Sequence, residues 1–373
     1  MDNQTPTPIS DATVNNSTLQ TQTAIEQSLY EEIQALKAKN DAAQIPQALK
    51  EKVSVMLSRL ERSARLGSYS EEYEKVTHYI EWVTSIPWEK KTKDVLYLKR
   101  TREILEKHHY GLQDVKERIL EYVSVLKLKS EKNPDGVVRA PILLLVGLVG
   151  TGKTTFAYSL AESLGRQIVR IPFGGMGSAR DLRGQSRLHL ESEPGYVIKG
   201  LRQAGVRNPI MLLDEIDRVS EEARNDIMGV LVELLDPGQN NAFVDHYLDY
   251  PIDLSEVIFI ATANNTTHIA TAVYDRLEQI TMPSYTDQEK IEIARSYLMP
   301  AALEETGLTK EQLVIDEDVW ANVVRPLGFD SGIRTLQRTI KNMCGKVAKE
   351  IVEQQITQVH VSAENVKKYL PQY

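Results

Sequence analysis

Large apolar side chains are nearly absent from the opening stretch MDNQTPTPISDATVNNSTLQTQT, which is built mostly from Asn, Gln, Thr and Ser. Such a segment buries too little surface to offset its ordering entropy, so the pattern predicts a disordered tail over residues 1–25. Leu29, Ile33 and Leu36 then recur at helical spacing. The next segment, PQALKEKVSVMLSRLERSARLG, opens on a proline suited to a first helical turn and closes at Gly67. Tyr73, Val76, Tyr79, Ile80 and Val83 mark another helix, which Pro87 stops. Region 26–105 is therefore predicted to be all-helical.

TREILEKHHYGLQDVKERILEYVSVLKLK continues the helical period with a break at Gly111, and SEKNPDGVVR reads as a loop. From Ala140 the period changes. Apolar runs PILLLVG, QIVRIPF, PIMLLD, VIFIATAN and QITMP alternate with helical stretches. Near-continuous apolar strands with helical crossovers predict a parallel sheet covered on both faces, an α/β domain over 106–284. After Pro283 the pattern returns to helix through DQEKIEIARSYLMPAALEE, DEDVWANVV and IRTLQRTIKNMCGKVAKEIVEQQ, with a short strand at TQVHV and a last helix, giving a helical domain over 285–373. No long internal repeat interrupts this order.

Composition narrows the class. A chain of 373 residues has room for two or three domains. Its net charge of −8 counts against a dedicated nucleic-acid binder, which needs a basic face. The one cysteine, Cys344, rules out an intrachain disulfide and is expected to be a small buried helix residue. No basic-then-apolar leader opens the chain and no window approaches 18 apolar residues, so a cytoplasmic protein without a membrane span is expected. The seven histidines show no ligand-like spacing, and His108 and His109 are expected at the surface or in packing.

The chemistry begins at Gly147-Leu-Val-Gly-Thr-Gly-Lys153-Thr154, which fits G-x-x-x-x-G-K-[ST] between a predicted strand and a predicted helix. Glycines let successive N–H groups turn onto phosphate oxygens, and the following helix N-terminus adds positive potential. Gly147, Gly150, Thr151, Gly152, Lys153, Thr154 and Thr155 are the expected ATP contacts, with Lys153 on the β/γ-phosphates and the Thr154 hydroxyl on Mg2+. Further along, IMLLDEID ends a strand with carboxylates at its C-terminal edge. Asp214 there can order Mg2+ through water, and Glu215 can polarise the attacking water. Taken alone, the same residues could cap a helix. For Asp217, capping or surface pairing suffices.

In this order the P-loop, LLDEID and VIFIATAN resemble the AAA+ ATPases. From about Tyr73 onward the chain resembles the ATPase module of the Lon protease family, through YIEWVTSIPW, HHYGLQDVKERILEYV, IKGLRQAGVRNPIMLLDEID, DPGQNNAFVDHYLDYPIDLSEVIFIATAN and YTDQEKIEIARSYLMP. The resemblance implies an AAA+ parallel-sheet domain with a C-terminal helical lid. It implies that Asn264 orients the attacking water and that Arg276 is an arginine finger serving a neighbouring subunit. It implies that Arg334 is a lid arginine sensing the γ-phosphate, and that Tyr110 and Gly111, with Val115, line the adenine. Without the resemblance, Arg276 and Arg334 could be ordinary helix ion pairs. A finger acting in trans implies a homo-oligomeric ring, a hexamer in this family.

Three departures accompany the match. Leu148 and Val149 stand where the family's P-loop has two prolines. The sequence ends at VSAENVKKYLPQY, where a peptidase domain with its Ser–Lys dyad would begin, and a polar tail stands where the family has a β-rich substrate domain. No Gly-x-Ser-x-Gly or His-Glu-x-x-His motif is present. In the loop RGQSRLHLESEPG, His189 and Leu190 occupy the aromatic–aliphatic positions that grip substrate, followed by Glu191 and Glu193, which in a narrow pore would favour basic chains. The same loop could be merely solvated. The expected function is an ATP-driven remodeller that unfolds or threads unfolded or damaged polypeptides without cutting them, working alone or with a separate peptidase or a full-length Lon-type partner. The alternatives are a nucleotide-controlled regulatory or assembly subunit, a nucleic-acid motor, and a fragment of a longer Lon-type protease.

Overall fold

The computed structural model describes residues 30–65, 71–133, 136–137, 139–189, 191–325 and 332–371. The tail predicted over 1–25, Leu29, the helix stop at Gly67, and Leu190 fall outside these residues. In chain order the elements are α1 (30–42), α2 (Gln47–Arg65), α3 (Glu71–Ser85), α4 (Leu98–His108) and α5 (Gln113–Lys132). Then come β1 (Ile142–Val146), α6 (Lys153–Leu164), β2 (Ile168–Pro172), α7 (Arg180–Arg183), α8 (Tyr196–Ala204), β3 (Ile210–Asp214) and α9 (Arg224–Leu235). The short strands β4 (Phe243–Asp245) and β5 (Tyr250–Ile252) lead to β6 (Ile258–Ala263), α10 (Thr271–Tyr274) and β7 (Leu277–Thr281). The C-terminal part holds α11 (Asp287–Ile293), α12 (Met299–Thr306), β8 (Leu313–Ile315), α13 (Trp320–Val324), α14 (Arg334–Gln354), β9 (Val359–Val361) and α15 (Val366–Tyr369).

The chain divides into two compact units. The first joins the helices up to Lys91 with Arg180–Arg207 and Val244–Ile252. Its core is apolar rows from α2 and α3, with Leu49, Val53, Leu57, Tyr79, Ile80 and Val83 all nearly inaccessible. Tyr79 donates its hydroxyl to Leu248 O at 3.0 Å. Arg187 stacks over the Tyr79 ring at 4.1 Å, and Arg202 over Trp82 at 4.3 Å. The loop that follows α7 is thereby seated on α3. Asp245, fully buried, closes it: its carboxylate accepts the N–H groups of Gly195, Tyr247 and Leu248 at 2.8–3.1 Å.

The second unit holds Thr92–Ala179, Asn208–Phe243 and Asp253–Tyr373. Its five-stranded sheet runs β2-β3-β6-β1-β7 with every pairing parallel. All five apolar runs predicted as strands are strands of this sheet. β3 and β6 are buried at every position, as expected where helices cover both faces. The core gathers Leu143 and Leu145 of β1, Phe156 and Leu160 of α6, Ile258 and Ile260 of β6, and the α5 row Val115, Ile119, Tyr122, Val123 and Leu126.

A second cluster, within the C-terminal part, surrounds Trp320, Ile340, Met343 and Val347, and takes in Cys344 as the buried residue expected. Burial raises the Cys344 thiol pKa to about 11, so it stays protonated. DQEKIEIARSYLMPAALEE is helical throughout, as expected, but not uniformly α-helical. α11 passes through a π-helical turn at Ala294–Leu298 before α12 starts. Pro300, near the start of α12, has no N–H for the helical ladder, and a widened turn accommodates the missing bond. Among the described residues no helix is long and apolar enough to cross a membrane.

Candidate nucleotide site

The loop between β1 and α6 turns through Gly150 (φ +83°) and Gly152 (φ +94°), a region where a side chain is strained. Gly147 faces a different limit, because a Cβ there would lie 2.6 Å from Met282 O. α6 begins at Lys153, so its first N–H groups face the cavity that the loop encloses. Lys153 Nζ donates to Gly147 O (2.6 Å), Leu148 O (3.0 Å) and Asn264 Oδ1 (3.1 Å). Its side chain is only 7% exposed, and burial lowers its pKa against the pull of Asp217 and Glu215. This buried cation with neutral acceptors is a site that a phosphate oxygen would complete.

A cavity of about 340 Å³ opens above the loop. Tyr110, Gly150, Gly152, Lys153, Thr154, Thr155, Asp214, Glu215, Asn264 and Arg334 all line it. Gly111, Gly147, Thr151 and Arg276 do not line it, nor does Val115, which is buried in the core. Thr151 is turned inward, its hydroxyl donating to Leu148 O at 2.9 Å.

The carboxylates sit where β3 ends beside β6. Asp214, 4% exposed, accepts from Thr262 Oγ1 (2.6 Å) and Thr154 Oγ1 (3.3 Å) on Oδ1, and from Arg170 Nε (2.6 Å) on Oδ2. The next residue, Glu215, adopts φ +60°, a strained conformation for a side-chain-bearing residue, and its N–H is held by Thr262 Oγ1 at 2.9 Å. Among the described residues no group of three His, Cys, Asp or Glu side chains could hold a metal unaided. Thr154 Oγ1 and Asp214 Oδ1, 3.3 Å apart, are oxygens of the kind that Mg2+ takes when it completes its shell with phosphates and water.

Asn264 follows β6, and its buried Nδ2 has no hydrogen-bond partner among the described residues. Its backbone N–H, and that of Asn265, donate to Asp217 Oδ2 at 3.1 and 3.3 Å. Asp217 is therefore corrected from a surface residue to a buried one, 6% exposed, that fixes the position of Asn264.

The far wall is aromatic and C-terminal. His109 lies flat on Phe156 with ring centroids 3.7 Å apart, and its Nε2 meets Ser159 Oγ at 2.9 Å. Burial, helped by His108 and Lys116, lowers its pKa to about 3, so the ring is neutral. Packing was expected for it; a place in the cavity wall was not. His108 also lines the cavity and lies beside Glu162 at 3.3 Å. Tyr285, Tyr297, Ile293 and Ile333 complete this wall. α14 is tied to the P-loop by its cap: Ile333 N–H donates to Gly150 O at 3.1 Å, and a Cβ on Gly332 would lie 2.2 Å from Val149 O.

Arg276 stands apart, donating to Asp236 Oδ2 at 2.9 Å and to Ala272 O at 2.5 Å. In the first unit, His189 and Glu191 are exposed at the turn after Arg187, and Glu193 pairs with Lys199 at 2.5 Å. Arg170 and Thr262 were not singled out from the sequence. Thr262 had one signal, a hydroxyl in an otherwise apolar buried strand; Arg170 had none, since alternate polar residues are ordinary in an edge strand.

Residues 143–285 match the ATPase family associated with various cellular activities (AAA), and residues 304–359 match the Lon protease AAA+ ATPase lid domain. The chain is 42% identical over 346 residues to Lon protease 2 of Thermus thermophilus, covering 91% of this chain and 43% of that protein. It is 44% identical over 341 residues to the Lon protease of Dictyoglomus thermophilum, covering 91% and 42%. With the Lon protease of Desulforamulus reducens the identity is 41% over 333 residues, covering 89% and 40%. The chain thus spans about two fifths of the length of the curated relatives it matches.

Proposed function

The chain carries the AAA+ ATPase module of the Lon protease family, and from that premise we propose that it hydrolyses Mg·ATP within a homo-oligomeric, hexameric ring to unfold or translocate polypeptides. The observation that carries the reading is the convergence of Lys153, Thr154, Asp214, Glu215, Asn264 and Arg334 on one cavity.

On ATP binding, Lys153 exchanges the neutral acceptors Gly147 O and Leu148 O for anionic phosphate oxygens. Thr154 and Asp214 would hold Mg2+, which neutralises charge on the transferred phosphoryl group. Glu215 polarises the attacking water, its backbone held by Thr262. The unmet Asn264 Nδ2 donor gives that water, or a γ-phosphate oxygen, a fixed partner. Arg334 reports the γ-phosphate from the end of α14. Arg276 serves the site of the neighbouring subunit, and Tyr110, in the cavity wall, flanks the adenine. Peptide-bond cleavage is assigned to no residue of this chain. A cytoplasmic location goes with this reading.

A second reading, a nucleotide-controlled regulatory or assembly subunit, draws on the exposed His189 and Glu191 where an aromatic–aliphatic grip is expected. Steady-state ATP turnover with and without unfolded casein separates the two. Stimulation by casein supports translocation, and turnover indifferent to it favours the regulatory reading. Glu215→Gln should lower kcat by about 10²–10³-fold while nucleotide still binds; full turnover in that variant would overturn the mechanism.

A further inference from the structure

The first unit contains a second cavity, of about 170 Å³, whose walls include Glu74, His78, Arg187 and Tyr247. Chemistry sets the direction of every hydrogen bond in one wall. Trp82 Nε1 carries a proton and no lone pair, so its 3.2 Å contact with His78 Nε2 makes that nitrogen the acceptor. Neutral His78 then bears its proton on Nδ1 and donates it to the Tyr247 hydroxyl oxygen, 3.0 Å away. The phenol proton is thereby directed away from His78, and among the described residues no acceptor takes it. Tyr247 is 3% exposed, and burial raises its pKa to about 12, so the hydroxyl remains a donor at neutral pH. A buried donor without an acceptor costs free energy unless a ligand supplies one.

The charges in the wall indicate which ligand. Arg187 is held with its guanidinium face on Tyr79 and its Nη1 donating to Met56 Sδ at 3.8 Å, which leaves its other N–H groups for an oxyanion. Glu74 in the same wall opposes it, so a singly charged group fits better than a phosphate dianion. His189 is also in the wall, and the neighbouring Leu188 is 81% exposed, which offers a peptide apolar contact beside the anion pocket. Glu193, expected to repel acidic chains, is paired with Lys199 and lies outside the cavity.

We propose that this cavity binds a carboxylate of a polypeptide, an acidic side chain or a free C-terminus, through the Tyr247 hydroxyl and the Arg187 guanidinium. The proposal rests on the reading that polypeptide is the substrate. It reverses the charge preference expected from Glu191 and Glu193, because acidic rather than basic residues are retained at the root of the loop.

The test uses the full chain with ATP and short unfolded peptides carrying a neutral fluorophore, read by anisotropy. One peptide has a central Glu and its control has Gln, each with a free or an amidated C-terminus. A carboxylate in either place should tighten binding roughly tenfold in the wild type. Tyr247→Phe should erase that preference and leave the Gln, amidated peptide bound as before. Arg187→Gln is the second variant if Tyr247→Phe binds no peptide at all. Whichever carboxylate is preferred identifies the source; equal binding of all four peptides by the wild type overturns the proposal while leaving polypeptide as substrate. If no peptide binds, the melting midpoint in sodium acetate is compared with that in sodium chloride of equal ionic strength. Stabilisation by acetate of the wild type but not of Tyr247→Phe supports the carboxylate chemistry and overturns polypeptide as its source. No stabilisation overturns both.

Discussion

The Thr262 hydroxyl donates to Asp214 Oδ1 at 2.6 Å and, through the same oxygen, accepts the backbone N–H of Glu215 at 2.9 Å. One side chain on β6 thus fixes both acidic groups at the end of β3. Thr262→Val keeps the shape and removes both bonds. We expect kcat for ATP to fall about tenfold, the loss of roughly 1.4 kcal/mol of transition-state stabilisation. Nucleotide affinity should change little. Steady-state kinetics with a parallel binding titration checks this, and an unaltered kcat would mean that Glu215 needs no such support.

Gly332 joins α14 to the P-loop through a space that admits no Cβ, with Val149 O 2.2 Å from where one would sit. Gly332→Ala should push the α14 cap off Gly150 and break the Ile333 N–H bond. The expected result is about a tenfold rise in KM for ATP with the sheet core intact, since one backbone hydrogen bond and the Arg334 approach are lost together. Circular dichroism and ATP kinetics measured together decide it; normal KM would show that the cap can shift without consequence.

Arg276, paired with Asp236 and away from the cavity, should act only on a neighbouring subunit's nucleotide. Arg276→Ala alone should lower turnover by about 10³-fold, the lower end for a lost arginine finger. Mixing it with Lys153→Ala subunits, which keep the finger but lose the phosphate lysine, should restore part of the activity. A mixture no more active than the sum of its parts would place Arg276 in its own subunit's chemistry.

Asp245 links stability to pH. Burial raises its pKa from 3.8 to about 6, against the three N–H bonds that favour the charged form. The folded chain therefore holds this proton more tightly than the unfolded one, so the contribution is complete below about pH 4 and lost as pH rises to about 6. Its size is on the order of 3 kcal/mol. Asp245→Asn cannot ionise, so urea denaturation at pH 4, 5 and 6 should show a flatter trend than the wild type. Parallel trends in the two proteins would contradict this account.

Much of the molecule follows from local pattern. Period and punctuation alone located the five parallel strands, the break at Gly111 and the long helix α14, because burial on two faces or on one stripe leaves its mark in consecutive residues. Lys153, Thr154, Asp214 and Glu215 were legible for a related reason: a phosphate cradle and the carboxylates at the end of a strand are short continuous segments. What the sequence left undecided are relations across the sheet. That Thr262 bridges Asp214 and Glu215, that Arg170 pairs with Asp214, that Asp217 holds the Asn264 backbone, and that Tyr247 is left with an unshared proton all depend on which strand lies beside which, and in what register. Those distances are set by the packing of segments far apart in the chain, so only the tertiary structure decided them.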